Sequence, residues 1–295
     1  MPLQGDAIGP EVRLAGEPLK ASPVPGIVAF DATDILDQNI SPWKEAYRSA
    51  SPFPHIVIDG LFPPALLEQV VEEIRHSQPE PEKNFYGSFR KHRISELRNM
   101  GPTTRRFIEE MNSAPFIEFM EQLTGVDHLI PDPHLEGGGV HQIGPGGLLK
   151  IHTDFNWHRK LKLHRRLNVL VYLNPGWEDA WGGKLELWDK DMTACGSRIA
   201  PIFNRMVVFS TTDFSYHGHP EPLAVPEGMM RNSIALYYYS AERPAEEVAF
   251  RQSTMTNYRE RPGERFERDQ LRRTAHQVML RTPLIRRLLN MLRGR

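Results

Sequence analysis

The sequence has little cysteine and no long apolar run, and each shortage excludes a class of protein. Cys195 is the single cysteine among 295 residues, so an internal disulfide and a thiolate-rich metal cluster are both excluded. No run of about eighteen apolar residues occurs, and the amino terminus lacks the apolar core of a signal peptide. We therefore expect a cytoplasmic protein without a transmembrane segment, in which any metal is bound by imidazole and carboxylate groups.

The sequence also has almost no net charge, with a formal value of −1, because 36 Lys and Arg nearly balance 37 Asp and Glu, but the charges are unevenly distributed. Residues 251–295 contain twelve arginines and four acidic residues, and they end in RTPLIRRLLNMLRGR, which predicts an amphipathic helix with a basic face. Such a helix commonly covers a domain edge, and a weak contact with a membrane surface or a partner is the alternative. The basic stretches lack interleaved aromatic residues, which argues against nucleic-acid binding.

The pattern along the chain divides it into three segments. We expect an amino-terminal arm and lead-in at 1–50, a domain at 51–240 and a basic, partly helical extension at 241–295. Within the domain, helical periodicity dominates 51–129, and residues 130–240 change to short alternating runs separated by Gly, Pro, Asn and Asp. This order predicts an α+β protein in which helices precede a sandwich or barrel of strands. The predicted strands lie near 51–62, 138–143, 148–153, 167–174, 184–188, 197–201, 205–210 and 231–239.

A candidate metal site begins in the stretch LLKIHTDFNWH, where His152 and Asp154 follow an apolar run. The stretch FSTTDFSYHGHPEPL supplies a third ligand, either His217 or His219. Two histidines and one carboxylate can occupy one face of an iron(II) octahedron and leave three positions open for a chelating co-substrate and O₂.

An Arg-X-Ser pair opens the later strand in MMRNSIALYYYS. Because residues i and i+2 of a strand face the same way, Arg231 and Ser233 can converge on one carboxylate. A carboxylate anchor beside an open metal site suggests a dicarboxylic oxo-acid as co-substrate.

These motifs resemble the iron(II)/2-oxoglutarate-dependent oxygenases, in particular the prolyl-4-hydroxylase-like group. The resemblance covers roughly 52–240 and includes PFPHIVIDGLF, IHTDF, RRLNVLVYLNPGW, WGGKLELW, FSTTDFSYHGH and RNSIALYYY. It implies a double-stranded β-helix, or jelly roll, flanked by amino-terminal helices. It also implies iron(II), 2-oxoglutarate and O₂ as cofactor and co-substrates.

The resemblance also assigns residues. His152, Asp154 and His217 are the implied iron ligands, since HGHPEP resembles the family's His-Gly-X-X-Pro form, and His219 is the alternative third ligand. Arg231 and Ser233 are the implied clamp on 2-oxoglutarate, with Tyr172 as a further donor. Many relatives carry a tyrosine some ten residues before His-X-Asp, where VHQIGPGG here offers His141 or Gln142 as a polar partner instead. The remaining candidates for the substrate pocket are Asn168, Leu170, Tyr237 and Arg165.

The function implied is hydroxylation of an unactivated C–H bond in a small molecule, with succinate and CO₂ as co-products. The basic run HRKLKLHRR, 158–166, favours an anionic or conjugated substrate, although a charge run is usually a solvated loop. Hydroxylation of a peptidyl residue, typically proline, and a non-catalytic metal-binding β-barrel remain alternatives. Desaturation, epimerisation or ring closure would use the same ligands.

Overall fold

The computed structural model describes residues 11–12, 40–80, 87–248 and 252–264. Four α-helices lie within these residues, with bounds α1 Ser41–Ser49, α2 Pro64–His76, α3 Pro102–Met111 and α4 Ala114–Thr124. The described strands are β1 Glu11–Val12, β2 His55–Asp59, β3 Ser88–Ile94, β4 Ile130–Pro131, β5 Gly139–Thr153, β6 Trp157–His158, β7 Leu163–Tyr172, β8 Leu185–Trp188, β9 Cys195–Ile199, β10 Arg205–Ser210, β11 Tyr216–His219, β12 Arg231–Ser240 and β13 Asn257–Tyr258. The predicted basic terminal helix lies outside the described residues.

The strands form one continuous sheet that folds back on itself as a jelly roll. Its order is β1-β2-β10-β7-β12-β5-β11-β8-β9, and β3 and β13 also pair with β5. The first part of β5 pairs with β12 and its second part pairs with β11, so this strand connects the two halves of the sheet. The predicted α+β class and the double-stranded β-helix core are therefore confirmed.

Period-two alternation in the central strands separates two layers of core. Val169 and Val171 of β7 pack with the apolar faces of the helices, whereas Tyr172 packs with Leu185 and Phe209 between the two halves of the sheet. This follows from strand geometry, because successive side chains point to opposite faces. The helices thus cover the outside of the sheet, and polar residues of alternate positions are left facing its interior.

The helices follow the predicted spacing, with one difference at the amino-terminal end. The buried residues of α2 are Leu66, Leu67, Val70, Val71 and Ile74. No helix was predicted in the lead-in at 1–50, but residues 41–49 form α1, and its Trp43 and Tyr47 are buried in the main core. Residues i and i+4 share one helix face, which lets α1 dock as part of the folded unit. No helix among the described residues has the length and apolarity needed to cross a bilayer.

The amino terminus of α3 is capped from another helix. The carboxylate of Glu73 in α2 accepts hydrogen bonds from the backbone N–H groups of Thr103 at 2.8 Å and Thr104 at 2.7 Å, and from the Thr104 hydroxyl at 2.7 Å. These N–H groups have no partner within their own helix. The contact therefore joins α2 to α3 and places a negative charge where the helix dipole favours it.

Several features of the strands differ from the sequence-based expectation, and one of them is that β11, which carries His217 and His219, was not predicted as a strand. Residues 138–143 and 148–153 form one strand of 15 residues, β5, rather than two. Strand β3 was not predicted, because Ser88–Ile94 reads SFRKHRI and has no apolar alternation. It pairs with β5 across a register shift at Phe89 and Lys91, next to Arg90, which has a positive φ of 49°.

Candidate metal centre and the cavity around it

Three potential metal ligands meet where β5 ends beside β11. His152 and His217 are direct register partners on these strands, and Asp154 follows β5 by one residue. One donor atom from each residue lies within 4.8 Å of the others. The Nε2 atoms of His152 and His217 lie 3.6 Å and 3.3 Å from the two carboxylate oxygens of Asp154. The donor set is two imidazole nitrogens and one carboxylate oxygen, which suits iron(II).

Backbone carbonyls orient both imidazole rings. Nδ1 of His152 donates to the carbonyl oxygen of Lys150 at 2.8 Å, and Nδ1 of His217 donates to that of Ser215 at 2.9 Å. This leaves Nε2 of each ring as the lone-pair atom facing Asp154, the arrangement expected of a histidine metal ligand. Burial, reinforced by His217, lowers the pKa of His152 and so favours the neutral, ligating form.

Two side chains of β7 donate hydrogen bonds to the carboxylate of Asp154. Nη2 of Arg165 and Nδ2 of Asn168 both donate to Oδ2 of Asp154, at 3.0 Å and 2.7 Å. Arg165 also donates to Oδ1 of Asn168, and it stacks on Tyr237 with its guanidinium carbon 3.4 Å from the ring centre. Burial alone would raise the pKa of the Asp154 carboxyl, but Arg165 and the histidines hold it well below its usual range. The carboxylate is therefore ionised and fixed in orientation.

Arg231 lies on the wall of the same cavity. Its Nε donates to the carbonyl oxygen of Gly183 at 2.8 Å, and its Nη2 donates to the Tyr172 hydroxyl at 3.2 Å. Gly183 has φ of 70°, and a Cβ there would lie 3.1 Å from Cδ of Arg231, so the close approach requires glycine. Ser233 pairs in register with Tyr172 across the β12–β7 ladder. Arg231, Tyr172 and Ser233 thus present three donors to the cavity.

The cavity has a volume of about 350 Å³ and contains nearly all of the predicted site residues. These are His141, His152, Asp154, Arg165, Asn168, Leu170, Tyr172, His217, His219, Arg231, Ser233 and Tyr237. They come from the four strands β5, β7, β11 and β12 and from the turn after β5. The jelly roll is what brings them together, because they are separated by up to 96 positions in the chain.

Gln142 is the exception, and its predicted role beside the co-substrate is corrected. It lies on the opposite face of β5 from His141 and donates through Nε2 to Oδ1 of Asn232 at 3.2 Å. Both side chains line a separate surface depression rather than the cavity. Adjacent residues of a strand face opposite ways, so only His141 of the two candidates can face the interior.

His219 faces the cavity as well, but it does not join the group of three donor atoms. The residue is 3% exposed, and neither ring nitrogen has a hydrogen-bond partner among the residues that the structure describes. Burial, followed by the charges of Arg231 and Lys91, lowers its pKa well below the usual range. The geometry therefore favours His217 over the alternative ligand His219.

Several residues of the cavity were not identified from the sequence. They include the charged residues Glu80, Lys91 and Arg93 and the aromatic residue Tyr258. Lys91 and Arg93 belong to β3, for which no apolar alternation gave a signal. Tyr258 belongs to β13, which lies in the expected extension and pairs with His152. The run of four consecutive basic residues in SFRKHRI was an available indication that β3 has a polar inward face.

A comparison with protein families matches residues 138–239 of this chain to the family model of the 2OG-Fe(II) oxygenase superfamily. The prolyl 3-hydroxylase OGFOD1 of Xenopus laevis is 26% identical over 200 residues, which cover 65% of this chain and 36% of that protein. The match thus spans little more than a third of the length of this curated relative.

Two solved structures are also similar. A prolyl 4-hydroxylase of Phytophthora capsici aligns with a TM-score of 0.49 at 21% identity, covering 74% of this chain and 69% of the other. HygX of Streptomyces hygroscopicus, solved with nickel, 2-oxoglutarate and hygromycin B, aligns with a TM-score of 0.45 at 14% identity, covering 70% and 92%. The family match includes every strand that carries the three candidate metal ligands and Arg231. Residues 138–239 are therefore similar to the 2OG-Fe(II) oxygenase superfamily, whose cofactors are iron(II) and 2-oxoglutarate.

Proposed function

We propose that this chain is an Fe(II)- and 2-oxoglutarate-dependent dioxygenase that hydroxylates an unactivated C–H bond of a small molecule, with succinate and CO₂ as co-products. One observation carries the proposal: a single cavity contains both a two-histidine, one-carboxylate donor set and a buried arginine beside a tyrosine and a serine. A simple metal-binding β-barrel has no need of the second group. The pair of features is what an oxidation driven by a dicarboxylic oxo-acid requires.

In this proposal His152, Asp154 and His217 bind iron(II), and Arg231 binds the distal carboxylate of 2-oxoglutarate. Arginine is suited to this task because its planar fork donates two parallel hydrogen bonds to a carboxylate. The Tyr172 hydroxyl accepts from Arg231 at 3.2 Å, so its own proton is available for a second acceptor such as this carboxylate. Ser233 adds a hydroxyl on the same face of β12.

The bound iron and 2-oxoglutarate would supply the oxidation of the C–H bond, and the protein residues would supply orientation. Arg165 and Asn168 hold Asp154 in the ligating position by occupying Oδ2. The apolar side chains of Leu170, Leu185 and Phe209 line the cavity and limit its water content. Exclusion of water protects a reactive site from side reactions.

The substrate class is the open part of the proposal. A cavity of about 350 Å³ lies in the range of small-ligand sites, and its lining carries more cationic than anionic side chains, which supports a small anionic molecule. A peptidyl hydroxylase is the second candidate, because the curated relative is a prolyl 3-hydroxylase. Both substrates would use the same metal and co-substrate residues.

The first experiment is an anaerobic titration of metal-free protein with iron(II) and then 2-oxoglutarate, observed through the weak visible charge-transfer absorption of the chelate. We expect absorption in the wild type and its loss in Asp154→Ala. Retained absorption in that variant would refute the ligand set. Succinate formation is then measured with a panel of small carboxylic and phosphorylated compounds and a matched panel of proline-containing peptides. Stimulation by the peptides alone would favour the second candidate.

A further inference from the structure

One cation of the cavity wall has no partner. Lys91 lines the cavity from β3 and forms no hydrogen bond or ion pair with any of the residues that the structure describes. The other three cations of the lining are occupied. Arg93 lies 3.3 Å from the carboxylate of Glu80, Arg165 is bound to Asp154, and Arg231 is bound to Gly183 and Tyr172.

Lys91 faces the cavity because of its register in the pairing of β3 with β5. It pairs in register with Ile143 of β5, and Ile143 pairs in turn with Arg231 of β12. Residues in direct register share one face of a sheet, so Lys91 and Arg231 point into the cavity from either side of Ile143. Lys91 is therefore on the same wall as the proposed 2-oxoglutarate clamp, with β5 between the two residues.

The charges of the cavity do not balance without a further anion. Four cations line it, namely Lys91, Arg93, Arg165 and Arg231, against the carboxylates of Glu80 and Asp154. If the proposed function holds, iron(II) and 2-oxoglutarate carry equal and opposite charges, so loading both leaves the surplus of two positive charges unchanged. A surplus of positive charge among buried and half-buried side chains is costly unless an opposite charge enters the site.

The environment of Lys91 reflects this surplus. Burial lowers the pKa of its ammonium group to about 8, Asp154 opposes the change, and Arg93, Arg231 and Arg165 lower it further. An anion placed beside Lys91 would offset both the desolvation and the repulsion. The exposed lysines of the basic run cannot serve in this way, because Lys160 and Lys162 lie at the surface and outside the cavity lining.

We propose that Lys91 binds an anionic group, a carboxylate or a phosphate, on the primary substrate and thereby selects anionic over neutral substrates. The inference rests on the proposed function, since it assigns a role within the same cavity. It replaces the basic run as the origin of the preference for an anion. The alternative to be tested is that Lys91 binds 2-oxoglutarate, because Arg231 lies close to Lys91 in the sheet.

The test is calorimetry under anaerobic conditions on protein loaded with iron(II) and 2-oxoglutarate. The probes are inorganic phosphate, acetate and the matched pair N-acetyl-L-proline and its neutral amide. The proteins are wild type, Lys91→Gln, Lys91→Arg and the control Lys160→Gln. We expect the wild type and Lys160→Gln to bind the charged member of the pair about tenfold more tightly than the amide, since a hydrogen bond to a charged group contributes that much.

In Lys91→Gln we expect this preference to fall to about twofold or less, and Lys91→Arg to keep most of it, because only the charge is needed. The affinity for 2-oxoglutarate is measured during loading, and in Lys91→Gln it should change less than about threefold. The loss of a hydrogen bond to a charged group would change it by considerably more. An unchanged preference in Lys91→Gln, or no preference in the wild type, would overturn the inference. So would a loss of 2-oxoglutarate affinity in Lys91→Gln, which would assign the lysine to the co-substrate. Failure of the wild type to load at all would instead refute the proposed function, before any probe is added.

Discussion

Arg165 donates a hydrogen bond to Asp154 across the floor of the cavity, with 3.0 Å between Nη2 and Oδ2. Arg165 is 1% exposed and lies against the Tyr237 ring, so it has no freedom to turn away from the carboxylate. The contact occupies one carboxylate oxygen and leaves the other for a metal ion. Arg165 thus lines the cavity, as expected from the sequence, and it also orients the carboxylate of the candidate metal ligand Asp154.

We expect Arg165→Lys to weaken binding of divalent metal by about 10- to 100-fold, the usual effect of removing a group that orients a ligand. Lysine keeps the charge but loses the fork that contacts Asp154 and Asn168 together. The measurement is an anaerobic competition titration with a chromophoric chelator. Arg166→Lys is the matched control, because Arg166 is adjacent to Arg165 and contacts Glu247 on the other side of the strand. Equal metal affinities in the two variants would contradict the positioning role.

The two histidines of β11 should differ sharply in their effect on metal binding. We expect His217→Ala to lose metal affinity by more than about 100-fold, because it removes one of three ligands, whereas His219→Ala stays within about fivefold of the wild type. The same titration distinguishes them. Their spacing of two residues makes the pair a matched set on one strand. The reverse ranking would reassign the third ligand.

We expect Arg231→Gln to raise the dissociation constant of 2-oxoglutarate by about tenfold or more, since a charged, bidentate contact is lost. The readout is the charge-transfer absorption of the iron(II) complex, titrated with 2-oxoglutarate in the absence of oxygen. Gln142→Ala is the control, and its constant should match that of the wild type because Gln142 faces away from the cavity. A strong effect of Gln142→Ala would restore the prediction that we have corrected.

The Glu73 cap leads to a prediction about stability and its dependence on pH. We expect Glu73→Ala to lower the free energy of unfolding by about 1–2 kcal/mol, as for loss of a helix cap, when measured by urea denaturation at neutral pH. Burial tends to raise the pKa of Glu73, but its hydrogen bonds from Thr103 and Thr104 outweigh burial and lower it. The stabilisation is therefore present above the pKa of the unfolded chain, about 4.3, and is lost as the pH falls through the lower pKa of the folded state.

The difference in stability between wild type and Glu73→Ala should thus shrink as the pH is lowered from about 6 to about 3. Glu72→Ala is the control, since its exposed pair with Arg75 contributes less than about 0.5 kcal/mol. A difference that is independent of pH would mean that the uncharged carboxyl group caps α3 equally well.

Much of the site was predictable because its residues lie in strands with clear alternation. Asn168, Leu170 and Tyr172 share a face for the same reason that Val169 and Val171 share the other, and an apolar pattern in β7 revealed it. Gln142 was misplaced because counting residues back from His152 takes no account of the Gly144–Gly147 stretch within β5. Which of two adjacent residues in a strand points into the cavity can be decided only once the register of that strand in the sheet is known.

The sequence by itself determined the strand-rich core, the helices that cover it and the residue types available to bind a metal, since these depend on periodicity and on local chemistry. The absence of further cysteine limited those ligands to imidazole and carboxylate. Only the tertiary structure decided that β3, without an apolar pattern of its own, pairs with β5 and turns Lys91 towards the cavity. It also decided that Arg165 supports Asp154, because contacts between distant strands depend on register, and register is set by the packing of the whole sheet.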